Sequence, residues 1–444
     1  MTSASTTPCR VALLGAGVVG RGVIRVLDKQ RDLLAARMGK RFELRHVACR
    51  DPARHQDLAH LVPLTTDAHA AVTDPEVDVV IELIGGTTTA GELIRAALAH
   101  GKHVVTANKS LLAADAAGIL SLAREHGRCV AFEASCGGGM PIINALQKGL
   151  VANRLHAMVG ILNGTCNFIL TKMTRQKMGY DEALKLAQEA GFAEADPTLD
   201  VSGRDAAQKL AILATLAFDA AAAEGDVYCE GIDTLEADDV TTAGELGYVI
   251  KLLAIGERTL DEKLSLRVHP TLVPAGNVLA DVADSFNAIS VFGDALGHAL
   301  FYARGAGQMP TASAVVADLI GVAMGTTPLA FETLRIFHDS VPRADVLPVE
   351  QLQTRYYLRI EARDVPGVMA RITDALGRNG ISLSAVLQHE VAGADGFVPV
   401  VVTTHLAREG SMRQAVREIN ALPVVRRPAV LLRILDMPAE AAQQ

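Results

Sequence analysis

The sequence predicts an α/β protein in three units: a doubly wound parallel sheet, an α+β unit with a mixed sheet, and a C-terminal βαββαβ unit. Three observations predict it. A short apolar strand at 10–14 runs directly into GAGVVG and an amphipathic helix, which is how a parallel α/β unit opens. Between 248 and 304 four apolar runs are separated by Pro, Gly and Asn, the spacing of a meander of strands. After 350 the pattern restarts as strand, helix, strand, strand, helix, strand.

A chain of 444 residues is too long for one core and reads as two or three domains. Half the residues are hydrophobic and 21% are charged, a globular composition. A net charge of −8 gives no electrostatic reason to expect nucleic acid or an anionic membrane as partner. The six cysteines have neither a C-x-x-C pair nor metal-ligand spacing, so they read as free thiols of a reducing compartment. MTSASTTPCR is short and polar, unlike a secretory signal, and no apolar run has the length of a membrane span. The expectation is a soluble, cytoplasmic protein.

Residues 1–135 carry the marks of a Rossmann-type nucleotide-binding domain. Gly15, Gly17 and Gly20 stand in G-x-G-x-x-G register around Val18 and Val19. The first glycine permits the tight turn, the second lets a pyrophosphate approach the backbone, and the third lets helix and strand pack closely. The second strand, FELRHVAC, ends at Arg50-Asp51. An acid there suits the ribose hydroxyls of NAD, whereas an arginine suits the 2′-phosphate of NADP. Arg50 comes first, which favours NADP and leaves NAD open; the bland reading is that Arg50 starts a surface loop. DVVIELIGG and HVVTANK are further strands ending in glycine or polar residues, as the ligand edge of a parallel sheet does. CVAFEASCGGGMPII follows, with the acid Glu133 emerging from an apolar strand.

Residues 136–304 form the second unit. A strand at 156–162 leads to Asn163, Gly164 and Thr165, a cap-like helix start that is structural, functional, or both. After a helix at 181–190 comes AGFAEADPTLDVSGRDAAQKLAILATL, an acidic turn feeding an almost wholly apolar helix. Asp205 and Lys209 are four apart and share a helix face, and Lys209 lies in line with Ile212 and Leu216. A surface ion pair is the bland alternative. An amine on an apolar stripe argues instead for a lysine whose proton becomes available for catalysis. DVYCEGIDTLEADDV reads as loop plus short helix, and YVIKLLAIGER, KLSLRVHPTLV, NAISVFGD and HALFYARGAG as strands. RGAGQMPTASAVVADLIGVAMG then supplies a glycine loop and a helix at 305–325, whose small residues would allow Gly305 and Gly307 to approach the cofactor closely; its Thr311-Ala312-Ser313 start resembles a crossing that completes the nucleotide domain.

Residues 344–353 read as a linker, and 350–436 as a ferredoxin-like unit able to bury its own core. Removing it is therefore expected to leave the catalytic part folded. Its D-x-P-G-V and N-G-I-S segments resemble those of ACT domains, which bind amino acids and pair through their sheets. Gly367, Asn379, Ile381 and Ser382 are the effector candidates there; a dimerisation module without ligand is the alternative.

The spacing of D-P, D, G, D and K in DPTLDVSGRDAAQK resembles the signature of homoserine dehydrogenases, and GAGVVG, TANK, FEASCGGGMP and the C-terminal unit follow in that family's order. The resemblance implies interconversion of L-aspartate 4-semialdehyde and L-homoserine with a nicotinamide cofactor, on the route to threonine, methionine and isoleucine. It implies Lys209 as the catalytic lysine with Asp205 beside it, and Lys109 reaching both cofactor and substrate. It implies Glu194 and Asp200 as acids for the substrate ammonium, near Gly164 and Thr165. It further implies a monovalent cation, Na+, at Glu133 and the backbone of Cys136, Gly138 and Met140; carboxylate and carbonyl oxygens suit a hard cation and not zinc. L-Threonine is the implied effector, and a homodimer or homotetramer the implied assembly. Two rivals are another nicotinamide-dependent amino-acid dehydrogenase and a non-catalytic amino-acid sensor.

Overall fold

The computed structural model of the chain describes residues 8–388 and 396–437. The first seven residues of the polar N-terminus, and the last two of the strand expected at 381–390, lie outside the described residues.

The first sheet is parallel and 6-stranded, in the order Leu64–Thr65, Phe42–Ala48, Cys9–Leu14, Val79–Glu82, His103–Thr106, Val130–Ala131. Its central strands are unbroken apolar runs because helices cover both faces: Val11 to Leu14 and Val80 to Ile81 are 0% exposed. The order reverses between Cys9–Leu14 and Val79–Glu82, and a ligand crevice opens at such a switch point. Gly15 lies there with φ 103°, and a Cβ on it would meet Leu83 O at 2.7 Å. A Cβ on Gly20 would sit 2.0 Å from Gly15 O, so the Val18–Lys29 helix starts directly on the strand end. A Cβ on Gly17 would meet nothing within 4 Å, so the turn is open on that side.

The Gln308–Ala323 helix crosses back to this unit. Gly22 is pressed against Ala312 and Gln308, and Gln308 Nε2 donates to Val18 O at 2.9 Å. The helix also holds the far edge of the sheet, since Asp318 accepts from Glu133 N at 2.7 Å.

The other sheet has 11 strands among the described residues. The four strands expected as a meander lie in its first part, but Leu155–Ile161 splits them, giving the antiparallel order Gly297–Arg304, Phe286–Gly293, Leu155–Ile161, Tyr248–Arg258, Leu264–Pro274. The two-residue strand Tyr228–Cys229, too short to give a periodic signal, pairs with Leu264–Pro274 inside the stretch expected to be loop.

The C-terminal unit has the expected βαββαβ order, but it is not a separate body. Its last strand, Val430–Ile434, pairs in parallel with Leu264–Pro274 through Thr271↔Arg433 and Leu272↔Ile434. On its other side it pairs with Gln353–Arg363, which is followed by Phe397–Thr404 and Leu383–Gln388. The expected linker is no free tether either: Ala344 N donates to Ala221 O and Leu347 N to Leu264 O, both at 2.9 Å. One continuous sheet thus runs through both units, contrary to the separable module that the restart of the pattern suggested. Periodicity marks where a unit begins; it does not say whether its edge strand is already spoken for.

Among the described residues no single helix is long and apolar enough to cross a membrane, and all six cysteines are free.

Candidate active site

Gly203 opens the Arg204–Phe218 helix in the left-handed conformation, φ 82°. A side chain there would crowd Cys229 Sγ at 3.0 Å and Glu230 O at 3.1 Å. All of the helix except Arg204 and Lys209 is buried, so the Lys209 side chain, 11% exposed, must find partners inside the protein. Its Nζ donates to Asp205 Oδ2 at 2.7 Å and to Leu162 O at 2.8 Å. Asp205 in turn faces Lys109 Nζ at 3.2 Å and accepts from Asn163 Nδ2 at 2.8 Å.

This changes one expectation. Burial by itself would lower the Lys209 pKa, yet the Asp205 carboxylate outweighs it and holds the amine above its ordinary value. Burial would likewise raise Asp205, but the Lys209 and Lys109 charges bring it down to about 2. The lysine is therefore a held ammonium and not an amine ready to lose its proton. The sequence displayed the apolar stripe but not which of the two opposed effects wins.

Asn163 is both a cap and a site residue. Its Oδ1 accepts from Cys166 N at 2.7 Å and starts the Gly164–Gln176 helix. Its Nδ2 bridges Asp205 and, at 2.7 Å, Asp200 Oδ1, which spaces the two acids. Thr165 Oγ1 lies 2.8 Å from Phe192 O and 3.2 Å from Asp200 Oδ2. Burial raises the Asp200 pKa and the Asp205 charge adds to it, against the hydrogen bonds from Asn163 and Thr165. Gly164 lets this helix start pass Ser285 O, which a Cβ would meet at 2.9 Å. Glu194 is not brought into the cluster: it lies on an exposed loop and its carboxylate has no partner among the described residues.

Lys109 begins the Lys109–Glu125 helix, whose cap Asn108 accepts from Leu111 N and donates to Gly86 O at 2.7 Å. Behind it stands Glu82, which the sequence reading passed over. It is 0% exposed and accepts from Ile84 N at 2.7 Å, Gly85 N at 3.0 Å and Thr106 Oγ1 at 2.7 Å. It thereby ties two strand ends at the crevice. Its signal was present: an acid inside DVVIEL, the same feature that drew notice to Glu133.

At the second strand's end, Asp51 is engaged by its own loop, accepting from Ala53 N at 3.1 Å and pairing with Arg54 at 3.2 Å. Arg50 is exposed and has no side-chain partner among the described residues. Glu133, 2% exposed, accepts from Ile143 N at 2.9 Å, Asn144 N at 2.7 Å and Asn144 Nδ2 at 2.5 Å, so it anchors the next helix start. Cys136 and Met140 put their side chains in the core, and Gly138 passes so near Gly305 that a Cβ would lie 2.5 Å from its carbonyl oxygen. Gly305 owes its smallness to a different neighbour than expected. A Cβ there would fall 2.1 to 2.3 Å from the amide of Asn287. Gly307, φ 116°, opens the returning helix with only Pro310 nearby.

The four effector candidates do not converge within one chain. Gly367 opens the Val368–Arg378 helix and lines a cleft with Arg363, Asp364, Pro366, Gln388 and Val400. Asn379 closes the same 11-residue helix, roughly 18 Å away at about 1.5 Å per residue, where it bonds Ala375 O and Glu418. Ile381 is a core residue and Ser382 O accepts from His405 N at 2.9 Å. The sequence places them close along the chain; the rigid helix between them sets them apart.

The comparisons with known proteins agree with this architecture. Residues 141–320 match the homoserine dehydrogenase family model, residues 15–133 the homoserine dehydrogenase NAD binding domain, and residues 356–424 the ACT domain. The chain is similar to homoserine dehydrogenase of Pseudomonas aeruginosa, 43% identical over 96% of this chain and 99% of that one. It is also similar to that of Bacillus subtilis, 40% identical over 94% and 96%. Among solved structures, a homoserine dehydrogenase from Thiobacillus denitrificans superposes with TM-score 0.91 at 43% identity, covering 97% of this chain and 99% of that one. One from S. aureus gives TM-score 0.75 at 31% identity over 97% and 100%. These matches favour neither a different amino-acid dehydrogenase nor a non-catalytic sensor. By sequence, fold and domain content the chain belongs to the homoserine dehydrogenases, oxidoreductases that use a nicotinamide cofactor, and it carries a C-terminal ACT domain.

Proposed function

We propose that Lys209, Asp205, Lys109 and Asp200 interconvert L-aspartate 4-semialdehyde and L-homoserine, with NADP as preferred cofactor. One observation carries the proposal. An ammonium has three hydrogens to donate; Asp205 and Leu162 O take two of those on Lys209, and the third is left for a substrate oxygen. When bound, the nicotinamide supplies or takes up the hydride. In the reducing direction Lys209, held charged, gives its proton to the aldehyde oxygen as the hydride reaches the carbon, so the aldehyde becomes the alcohol. In oxidation the neutral amine takes the hydroxyl proton. Asp205 orients Lys209, and Lys109 adds a second positive charge where negative charge develops on oxygen. Asp200 binds the substrate ammonium beside Gly164 and Thr165. Gly15, Gly17, Val18, Val19 and Gly20 receive the pyrophosphate, Arg50 the 2′-phosphate, and Gly307 the nicotinamide end; the engagement of Asp51 by its own loop supports Arg50 as the selective group.

Glu133 and the carbonyls of Cys136, Gly138 and Met140 would hold a monovalent cation, Na+. The donor set is all oxygen, and Gly137 and Gly138 both take positive φ, 74° and 60°, which lets a loop turn successive carbonyls inward. The cleft at Gly367 would take L-threonine as effector. The outermost strands, Gly297–Arg304 and Leu383–Gln388, support assembly into a homodimer or homotetramer, because an open strand edge is a ready surface for pairing. The free cysteines support a cytoplasmic setting on the threonine, methionine and isoleucine route.

The test is oxidation of L-homoserine followed by nicotinamide absorbance, with NAD and NADP compared and L-threonine titrated. Absence of turnover with either cofactor would overturn the reading.

A further inference from the structure

We infer that Asn287 is a positioning residue for Lys209, acting through the carbonyl of Leu162; the inference rests on the role proposed for Lys209. Leu162 O accepts two donors. One is the Lys209 ammonium at 2.8 Å, the other Asn287 Nδ2 at 3.0 Å. Asn287 sits on the Phe286–Gly293 strand and is 0% exposed. Its amide is locked on both sides. Toward Gly305, three of its atoms occupy the space where a Cβ would be, at 2.1 to 2.3 Å, so only glycine accepts it there. Toward Leu162, the alternative amide orientation would face one oxygen with another, two acceptors with no hydrogen between them. The amide keeps its present orientation although this leaves Oδ1 buried with no partner. A buried acceptor left unsatisfied is unfavourable, so the Nδ2–Leu162 bond is retained at the expense of the other end of the same side chain.

The consequence for Lys209 is geometric. Asp205 lies on its own helix and Leu162 on the strand end opposite, so these two acceptors fix the direction of the third N–H. A carbonyl anchored from behind by Asn287 cannot swing with the loop that follows it. Proton transfer needs donor and acceptor aligned within hydrogen-bond reach, and a small loss of alignment lowers the rate without weakening binding. The Asn287 amide meets Leu162 O and the Gly305 backbone and makes no hydrogen bond to Asp200 or to the GAGVVG turn, so the effect is expected on turnover.

Asn287→Leu removes the donor at similar volume. In homoserine oxidation it should lower kcat by roughly 10- to 100-fold and leave KM for homoserine and cofactor within about twofold. Added to Lys209→Ala, it should lower the residual rate no further, since its action passes through that lysine. Gly305→Ala, which pushes the amide aside without removing it, should give the same drop in kcat and should not add to Asn287→Leu. Circular dichroism and cofactor binding establish that each variant is folded, and Gly305→Ala carries the test if Asn287→Leu is not. An unchanged kcat in the folded variants overturns the inference. So does a rise in KM that accounts for the loss, or a further fall on the Lys209→Ala background. An inactive wild type would defeat the proposed function instead, which keeps the two failures distinct.

Discussion

Arg433, on the last strand of the C-terminal unit, donates to Glu230 of the catalytic unit at 2.6 Å while only 2% exposed. It also bonds Glu409, 0% exposed, at 2.5 and 2.9 Å, so one buried guanidinium serves both units. Glu230 follows Cys229, whose thiol reaches Ser202 O at 3.2 Å, and precedes Ile232, whose N–H donates to Val201 O at 2.9 Å. The ACT unit is thereby joined, within a few residues, to Asp200 and Gly203.

Truncation after Ala344 should therefore not give a folded enzyme. It would strip the Leu264–Pro274 strand of a neighbour and leave Glu230 and Asp239, the latter 0% exposed, without Arg433 and Arg359. Arg433→Ala should destabilise the intact chain by about 3–5 kcal/mol, the usual result of removing one partner from a buried pair. Chemical denaturation and light scattering measure both effects. A soluble truncate with a cooperative transition would overturn the first expectation.

Lys209→Ala should cut hydride transfer in both directions to a small residual rate while NADP still binds. Its ammonium is held by Asp205 and Leu162 O with one hydrogen left over, aimed by those two acceptors. Single-turnover kinetics and cofactor fluorescence separate the two properties; near-normal turnover would remove Lys209 from the mechanism.

Homoserine binding should weaken as pH falls. Asp200 has its pKa raised by burial and by Asp205, so it loses its charge earlier on acidification than an ordinary aspartate. A substrate ammonium prefers the ionised form, hence KM for homoserine should rise as pH drops through that raised value. Asp200→Asn should start from a high KM and lose this dependence. Folding stability also declines on acidification through Asp205, but later: with its pKa lowered to about 2, its contribution is present above the ordinary carboxylate value and fades only toward pH 2.

Arg50→Ala should raise KM for NADP selectively. A charge-assisted bond to phosphate is worth about 1.5–3 kcal/mol, or roughly 10- to 150-fold, and the NAD reaction should be nearly unaffected. Equal losses with both cofactors would assign Arg50 another task.

The sequence by itself determined what neighbouring residues can dictate. GAGVVG between a strand and a helix, the four strands of the meander, the βαββαβ order and a lysine four residues past an aspartate on an apolar helix are all written in consecutive side chains. Each follows from local sterics or from a 3.6- or 2-residue period. Tertiary structure decided the rest. Leu264–Pro274 reads as a buried strand, but nothing in its pattern names Val430–Ile434 as its neighbour. Asn287 and Glu82 read as isolated polar residues in apolar strands, and only the packed chain sets one against Leu162 and the other across two strand ends. Gly367 and Asn379 are the two ends of one readable helix, and only the fold shows that Gly367 alone reaches the cleft. The charge on Lys209 depends on two opposed terms, desolvation and the Asp205 field, which exist only once distant segments have closed around the pair. Periodicity says that a face will be buried; which groups meet there is settled by the competition among all such faces for partners.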